Sequence, residues 1–298
     1  MPSSYARPPG HYLASVVIAA HNEEHVIGAV LDSLLDQDVA ESIEVIVSAN
    51  GCSDRTATVA ARPGVSVIDR PEPGKSGALN AADDVANSFP RIYLDADILM
   101  PPGGLASLVA ALTSKTYLLA VVPRRRLNLA QCPWPVRGYY AINEKLPVFR
   151  DGLFGRGMIA VSEAGRARFE AFPTVIADDL FLDGQFADFE KAEVEAIEVV
   201  VEAPRTTRDL LRRLIRVRRG NAELRELVAT GELRMQIRPS DRWAWLRDVV
   251  MPEPTLILAA IPYVGLTLAA ATLARWPAKV GREWGRDEST RRAKAPVP

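Results

Sequence analysis

Between Leu13 and Val122 the chain alternates short apolar, β-branched runs with stretches of helical spacing. The runs are "LASVVIAA", "IEVIVSA", "VSVID" and "RIYLDAD". Between them lie "HNEEHVIGAVLDSLLDQ", "SDRTATVAA" and "SGALNAADDVANSF". In the first of these, Val26, Val30, Leu31, Leu34 and Leu35 recur at helical spacing. Few folds accept such an order. Strands that alternate with helices build parallel β-α-β units, which predicts an α/β chain with a doubly wound, mostly parallel sheet. "LASVVIAA" lacks polar alternation, as a strand buried on both faces does. In an open sheet of this kind ligands sit beyond the carboxyl ends of the strands.

Four of those ends are polar: "AHNEE", "SANGCSD", "EPGKSGALN" and "DADILM". Asp95 and Asp97 close an apolar strand, and a hard divalent cation takes oxygen ligands of this type from one or two carboxylates plus phosphate. The competing explanation is a solvated strand exit. Gly74 and Gly77 permit an unusual backbone path, Lys75 can reach an anion, and amides at the next helix start favour phosphate. The Walker A spacing is absent, and a surface turn accounts for the same residues. Asn50 has the donor and acceptor to read a base edge, although Asn-Gly is also an ordinary turn, with Ser53 or Asp54 as the cap of the helix behind it.

Beyond Val122 the pattern turns irregular. "PRRRLNLAQCPWPVRGYYAINEK" mixes aromatics, proline and arginine, and "GLFGRGMIAVS" follows with closely spaced glycines. In "VIADDLFLDG", Asp178 and Asp179 are either helix caps or carboxylates able to take a proton from a hydroxyl. "RDLLRRLIRVRRGNAELRELV" predicts an amphipathic helix with Leu210, Leu211, Leu214, Ile215 and Val217 on one face and arginines opposite. Thr255–Ala274 carries no charge and approaches the ~20 residues that cross a bilayer, although Pro262 and Gly265 interrupt it, and a re-entrant or interfacial helix or a packed core helix are the alternatives. Arg242 and Arg247 precede this segment and Arg275, Lys279 and Arg282 follow it, so charge does not orient it. The expected organisation is a loose N-terminal arm (1–12), an α/β half carrying the four polar strand ends (13–122), an irregular half lining a second pocket (123–203), basic amphipathic helices (204–250), and an apolar candidate membrane segment with a basic, disordered tail (251–298). No signal peptide is expected at the N-terminus.

A net charge of -1 argues against a nucleic-acid binder, and two cysteines provide neither a disulfide framework nor a zinc cluster, which fits a reducing compartment.

An N-E pair, an N-G-x-S-D turn, a G-K-x-x-A-L-N segment, a D-x-D and a D-D occur in that order. The ordered set, from roughly Ser15 to Gly220, resembles the inverting family 2 glycosyltransferases of the GT-A fold. "VVIAAHNEE", "VIVSANGCSDRT", "PGKSGALNAA", "IYLDADILM", "GLFGRGMIAVS" and "IADDLFL" look like that family's successive segments. The resemblance implies a GT-A-type nucleotide-diphospho-sugar transferase fold with a helical, membrane-associated C-terminal segment. It implies that Asp97 ligates Mn2+ or Mg2+ and that Asp95 contacts the ribose or the metal. It places Asn22, Glu23 and Asn50 along the nucleoside and Lys75 near the base and diphosphate, with Ala20, Ala96 and Gly157 completing the donor-binding set. Asp179 becomes the general base, supported by Asp178.

The implied donor is a nucleotide-diphosphate sugar, UDP-sugar favoured, and the acceptor a lipid-linked or glycan hydroxyl at the cytoplasmic side of the cell membrane, the protein being peripheral, single-span or re-entrant there, with a cytoplasmic protein as the alternative. Asn50 stands where the family usually has an acid, which opens the choice of base. Val217 stands where processive relatives carry a tryptophan, which implies limited transfer. Two other classes compete: a nucleotidyltransferase, which would carry a glycine-rich triphosphate loop that "AAHNEE" does not offer, and a nucleotide-binding protein without catalysis.

Overall fold

The structure is a computed structural model describing residues 12–239 and 241–276. The predicted arm over 1–12 lies almost wholly outside the described residues, and the basic tail lies entirely outside them. The chain divides into two compact units.

The first unit comprises the chain up to Arg126, Gly155–Thr174 and Gln185–Val201. Its strands are β1 (Ala14–Ala20), β2 (Ile43–Asn50), β3 (Val65–Arg70), β4 (Arg91–Asp95), β5 (Ala120–Asn128), β6 (Met158–Val161) and β7 (Lys191–Glu202), the last residues of β5 and β7 running into the second unit. They form one sheet in the order β3-β2-β1-β4-β6-β5-β7. β1 pairs in parallel with β2 and β4, and β2 with β3, whereas β6 runs antiparallel to β4 and β5. Val16, Val17 and Ile18 are fully enclosed, as the unalternating apolar run of β1 requires.

Helices α1 (Ile27–Leu35), α2 (Thr56–Ala60), α3 (Lys75–Val85) and α4 (Gly104–Ser114) connect the parallel strands and the sheet's second half. α1 buries Ile27, Val30, Leu31 and Leu34, the stripe read from the sequence. At the foot of β4, Arg91 is buried against Asp83 and donates to Ser15 Oγ (2.8 Å) and the Ser88 carbonyl (2.7 Å). Arg166 also reaches Asp83 (2.9 Å), so that buried carboxylate faces two guanidinium groups.

The second unit comprises Leu127–Phe154, Val175–Gly184 and Glu202 onward. It holds α5 (Trp134–Asn143) and α6 (Pro147–Asp151); the short α7 (Glu163–Arg166) belongs to the first unit. Then come α8 (Asp178–Asp183), α9 (Thr207–Ala229), a π-helical turn at Trp245–Val250, and α10 (Ile257–Ala274). α9 starts at Thr206, whose hydroxyl accepts from the Asp209 amide (3.1 Å). Leu210 and Leu214 join Val136, Tyr139 and Tyr140 in one core, and Ile142, Val249, Val250 and Ala260 form another.

Three expectations need correction. α2 begins after Arg55 rather than at Ser53 or Asp54, and Asp54 instead accepts from the Thr56 amide (2.9 Å) one position further out. α3 ends at Val85, because Asn87 turns its side chain to Glu44 and to the Val85 carbonyl. Val217 is exposed, so the buried face of α9 passes instead through Gly220 and Leu224.

Candidate functional site

The carboxyl ends of β2, β1 and β4 lie side by side, with Gly157 just before β6, and hydrogen bonds tie their loops together. Asn50 ends β2 almost fully buried. Its Nδ2 donates to the Ala20 carbonyl at the end of β1 (2.7 Å), and its Oδ1 accepts from the Gly74 amide (3.0 Å). Only an amide makes both bonds, since a carboxylate has no hydrogen for Ala20. The His21 ring donates through Nδ1 to the Asn50 carbonyl (2.5 Å), which fixes that proton on Nδ1. Gly51 has φ 57°, and a Cβ there would lie 2.8 Å from Pro73, so the turn closes against the next loop only with glycine.

The loop after β1 is braced in the same way. Asn22 adopts a left-handed φ of 54°, and its Oδ1 accepts from the Ser53 amide (2.8 Å). The Glu23 amide donates to Thr56 Oγ1 (2.7 Å), and Glu23 itself is buried. The Glu24 amide donates to Asp54 Oδ2 (3.1 Å). Burial raises the Asp54 carboxyl, but hydrogen bonds from the Thr56 hydroxyl and from the Thr56 and Glu24 amides outweigh it, leaving the group below the usual carboxylate range. Ser53 and Asp54 were read as a turn and cap within a strand-end segment, and Thr56 was not singled out. Their partners lie some thirty residues away, beyond the reach of local spacing.

Asp95 closes β4. Its amide donates to the Gly157 carbonyl (2.8 Å), and its Oδ1 accepts from Lys75 Nζ (2.7 Å), the first residue of α3. Gly157 has φ 70°, and any Cβ there would run into the Ile98 side chain and lie 3.6 Å from Asp95 Oδ2. Ala96 is buried and Asp97 is exposed. Thus Ala20, Asn22, Glu23, Asn50, Lys75, Asp95, Ala96, Asp97 and Gly157 all stand at one end of one sheet.

Among the described residues no three His, Cys, Asp or Glu side chains cluster as metal ligands. Two carboxylates one residue apart, one of them exposed, nevertheless match the donor set of Mg2+ or Mn2+, which completes its shell with substrate phosphate oxygens and water. Asp95 already faces one cationic group, the Lys75 ammonium.

Asp178 and Asp179 belong to the second unit and occupy the first turn of α8, where negative charge suits a helix start. Asp179 Oδ1 accepts from the Leu180 amide (2.8 Å). The far end of α8 is strapped. Buried Asp183 accepts from the Leu153 amide (3.0 Å) and pairs with Arg238 Nε (3.2 Å), while Arg238 Nη2 donates to the Asp151 carbonyl (2.9 Å). Gly184 sits against Met235, and its carbonyl accepts from the Gln236 amide (3.1 Å). Gly220 of α9 packs on Ile176 and Ala177, the residues leading into α8. No sequence signal marked Asp183 or Arg238.

A mostly parallel sheet with a D-x-D after its central strand and a Gly-Lys segment at a helix start defines a GT-A-like fold. Residues 15–159 match the family model described as Glycosyl transferase family 2. Over that stretch, just under half of the chain, the sequence is similar to glycosyltransferase family 2. Uncharacterized glycosyltransferases of Mycobacterium tuberculosis (strain H37Rv) and Mycobacterium bovis are 36% identical over 121 residues, covering 41% of this chain and 52% of each relative. The match thus spans about half the length of these curated relatives. A mannosyltransferase from Pyrobaculum calidifontis, solved with GDP-Man and Mn2+, aligns over 93% of this chain and 80% of its own with a TM-score of 0.58. At 21% identity that likeness speaks to the fold alone.

Proposed function

We propose that the protein moves a sugar, with inversion, from a nucleotide-diphosphate donor, UDP-sugar favoured, to an acceptor hydroxyl. The observation that carries this reading is the bonded set of loop tips: Asn50 joins Ala20 to Gly74, Lys75 joins Asp95, and Asp95 joins Gly157. Asn22, Glu23 and Asn50 shape the nucleoside side of the site. Both ends of the Asn50 amide are engaged, so it braces the loops rather than reading the base. Lys75 brings positive charge to the diphosphate. Asp95 and Asp97 hold Mn2+ or Mg2+, which when bound neutralises charge on the leaving diphosphate.

The acceptor hydroxyl attacks the anomeric carbon from the face opposite the diphosphate. As the new C–O bond forms, the bond to the diphosphate oxygen breaks and Asp179 takes the hydroxyl proton, with Asp178 in support. The assignment of the base rests on the D-D segment of the sequence. The acceptor is a lipid-linked or glycan hydroxyl, transfer is limited rather than repetitive, and the protein works at the cytoplasmic side of the cell membrane.

A thermal-shift panel of nucleotide diphosphates with and without Mn2+, run beside a transfer assay, tests this. Saturating UDP with Mn2+ should raise Tm by roughly 5 °C. Asp97→Ala should lose the metal-dependent part of that rise. Asp179→Asn should keep it while transfer falls by about 10²–10⁴. If Asp179→Asn transfers as the unaltered protein does, the base is elsewhere; if no nucleotide diphosphate shifts Tm, the donor reading fails.

A further inference from the structure

We propose that α10 lies flat in an anionic lipid surface as a one-sided interfacial helix and does not cross the bilayer. This rests on the membrane association proposed above and specifies its mode and its lipid. By length and composition alone, α10 with the turn before it is the one described segment able to cross a membrane. Its packing within the second unit argues against that use.

One face of α10 is committed to protein. Pro262 seats on Gly138, where an added Cβ would meet it at 2.7 Å, and Tyr263 stacks on Tyr139 with ring centroids 5.3 Å apart. Ala260 and Ala270 are buried on the same side. Arg219 of α9 donates to the carbonyls of Leu273, Ala274 and Trp276, fastening the C-terminal end. A crossing α10 would carry α9 into the hydrocarbon with it, and α9 exposes Arg208, Arg212 and Arg218. Charged groups at that depth are costly.

The opposite face is bare and apolar. Ile257, Ile261, Gly265, Leu268 and Thr272 recur every three or four residues, with Leu258 alongside, and all are exposed. At 3.6 residues per turn they share an arc of about 100°, opposite the packed face. Leu258 is 66% exposed, Ile261 63% and Leu268 60%, values that no core helix shows. Exposed Trp276 and Arg275 follow the helix. Before it, exposed Trp243 carries the Arg242 guanidinium 5.9 Å from its ring centroid. Tryptophan and arginine beside an apolar stripe are the side chains that settle at headgroup depth.

Charge selects the lipid. Residues 204–276 hold thirteen arginines against seven acids, so the segment complements an anionic leaflet.

Flotation of the full chain with phosphatidylcholine vesicles, with and without phosphatidylglycerol, tests the proposal. The protein should float only with phosphatidylglycerol, release in high salt or alkaline carbonate, and have its tryptophan fluorescence quenched by brominated acyl chains. Replacing Leu258→Glu, Ile261→Glu and Leu268→Glu together should weaken binding at least about tenfold with unchanged circular dichroism. Arg242→Glu with Arg275→Glu should remove the preference for anionic vesicles. Retention through alkaline carbonate would make α10 a span. Failure to float, or a dimer in vesicle-free solution that the triple substitution dissolves, would mean that another surface covers the stripe. None of these readouts depends on sugar transfer, so the catalytic reading stands or falls separately.

Discussion

Gly157 combines a left-handed φ of 70° with a neighbour, Ile98, that leaves no room for a methyl group, and its carbonyl accepts from the Asp95 amide. Gly157→Ala should cost more than about 1 kcal/mol, seen as a lower urea midpoint at unchanged m-value, and should weaken nucleotide-diphosphate binding by displacing Asp95. Residue identities at the strand ends were legible because each stands where a polar side chain follows an apolar run. Their bonding was not. Asn50 looks suited to reading a base until its amide is seen joining Ala20 to Gly74, partners thirty residues before it and twenty-four after.

Among the elements, α8 depends on a segment that carries no periodicity. Asp183 is 2% exposed and pairs with Arg238 from the irregular stretch that follows α9. Arg238→Ala should therefore destabilise the second unit by about 1.5–3 kcal/mol in chemical denaturation and lower transfer through α8, with Arg238→Lys restoring only part because a single ammonium replaces a two-pronged contact. The strands and α1 were readable because β-branched runs and i, i+3, i+4 stripes are local. The end of α3 and the start of α2 were not, since a carboxylate distant in sequence contributes to each: Glu44 accepts from Asn87 past the end of α3, and Glu24 in the loop after β1 accepts from the Arg55 amide ahead of α2.

Over the whole molecule, the α/β class followed from the alternation of strand and helix, which leaves a parallel sheet as almost the only solution. β6 escaped because four apolar residues, "MIAV", are too short to distinguish strand direction or to separate from the glycines before them. α10 was legible as apolar and long, but its two-faced packing was not. Its core-facing positions are as apolar as its exposed ones, so no pattern separates them.

The two cysteines fall one to each unit. Cys52 is half-buried on the loop after β2, and Cys132 is buried with its thiol toward the Pro204 carbonyl (3.5 Å). Each thiol is therefore a chemical clock for the part that contains it. Under a maleimide of distinct mass, Cys52 should be tagged while the chain is native, and Cys132 only as fast as the helical part breathes open. Labelling Cys132 in rising urea, and comparing its onset with the loss of sheet signal, would show whether the helices let go before the sheet does.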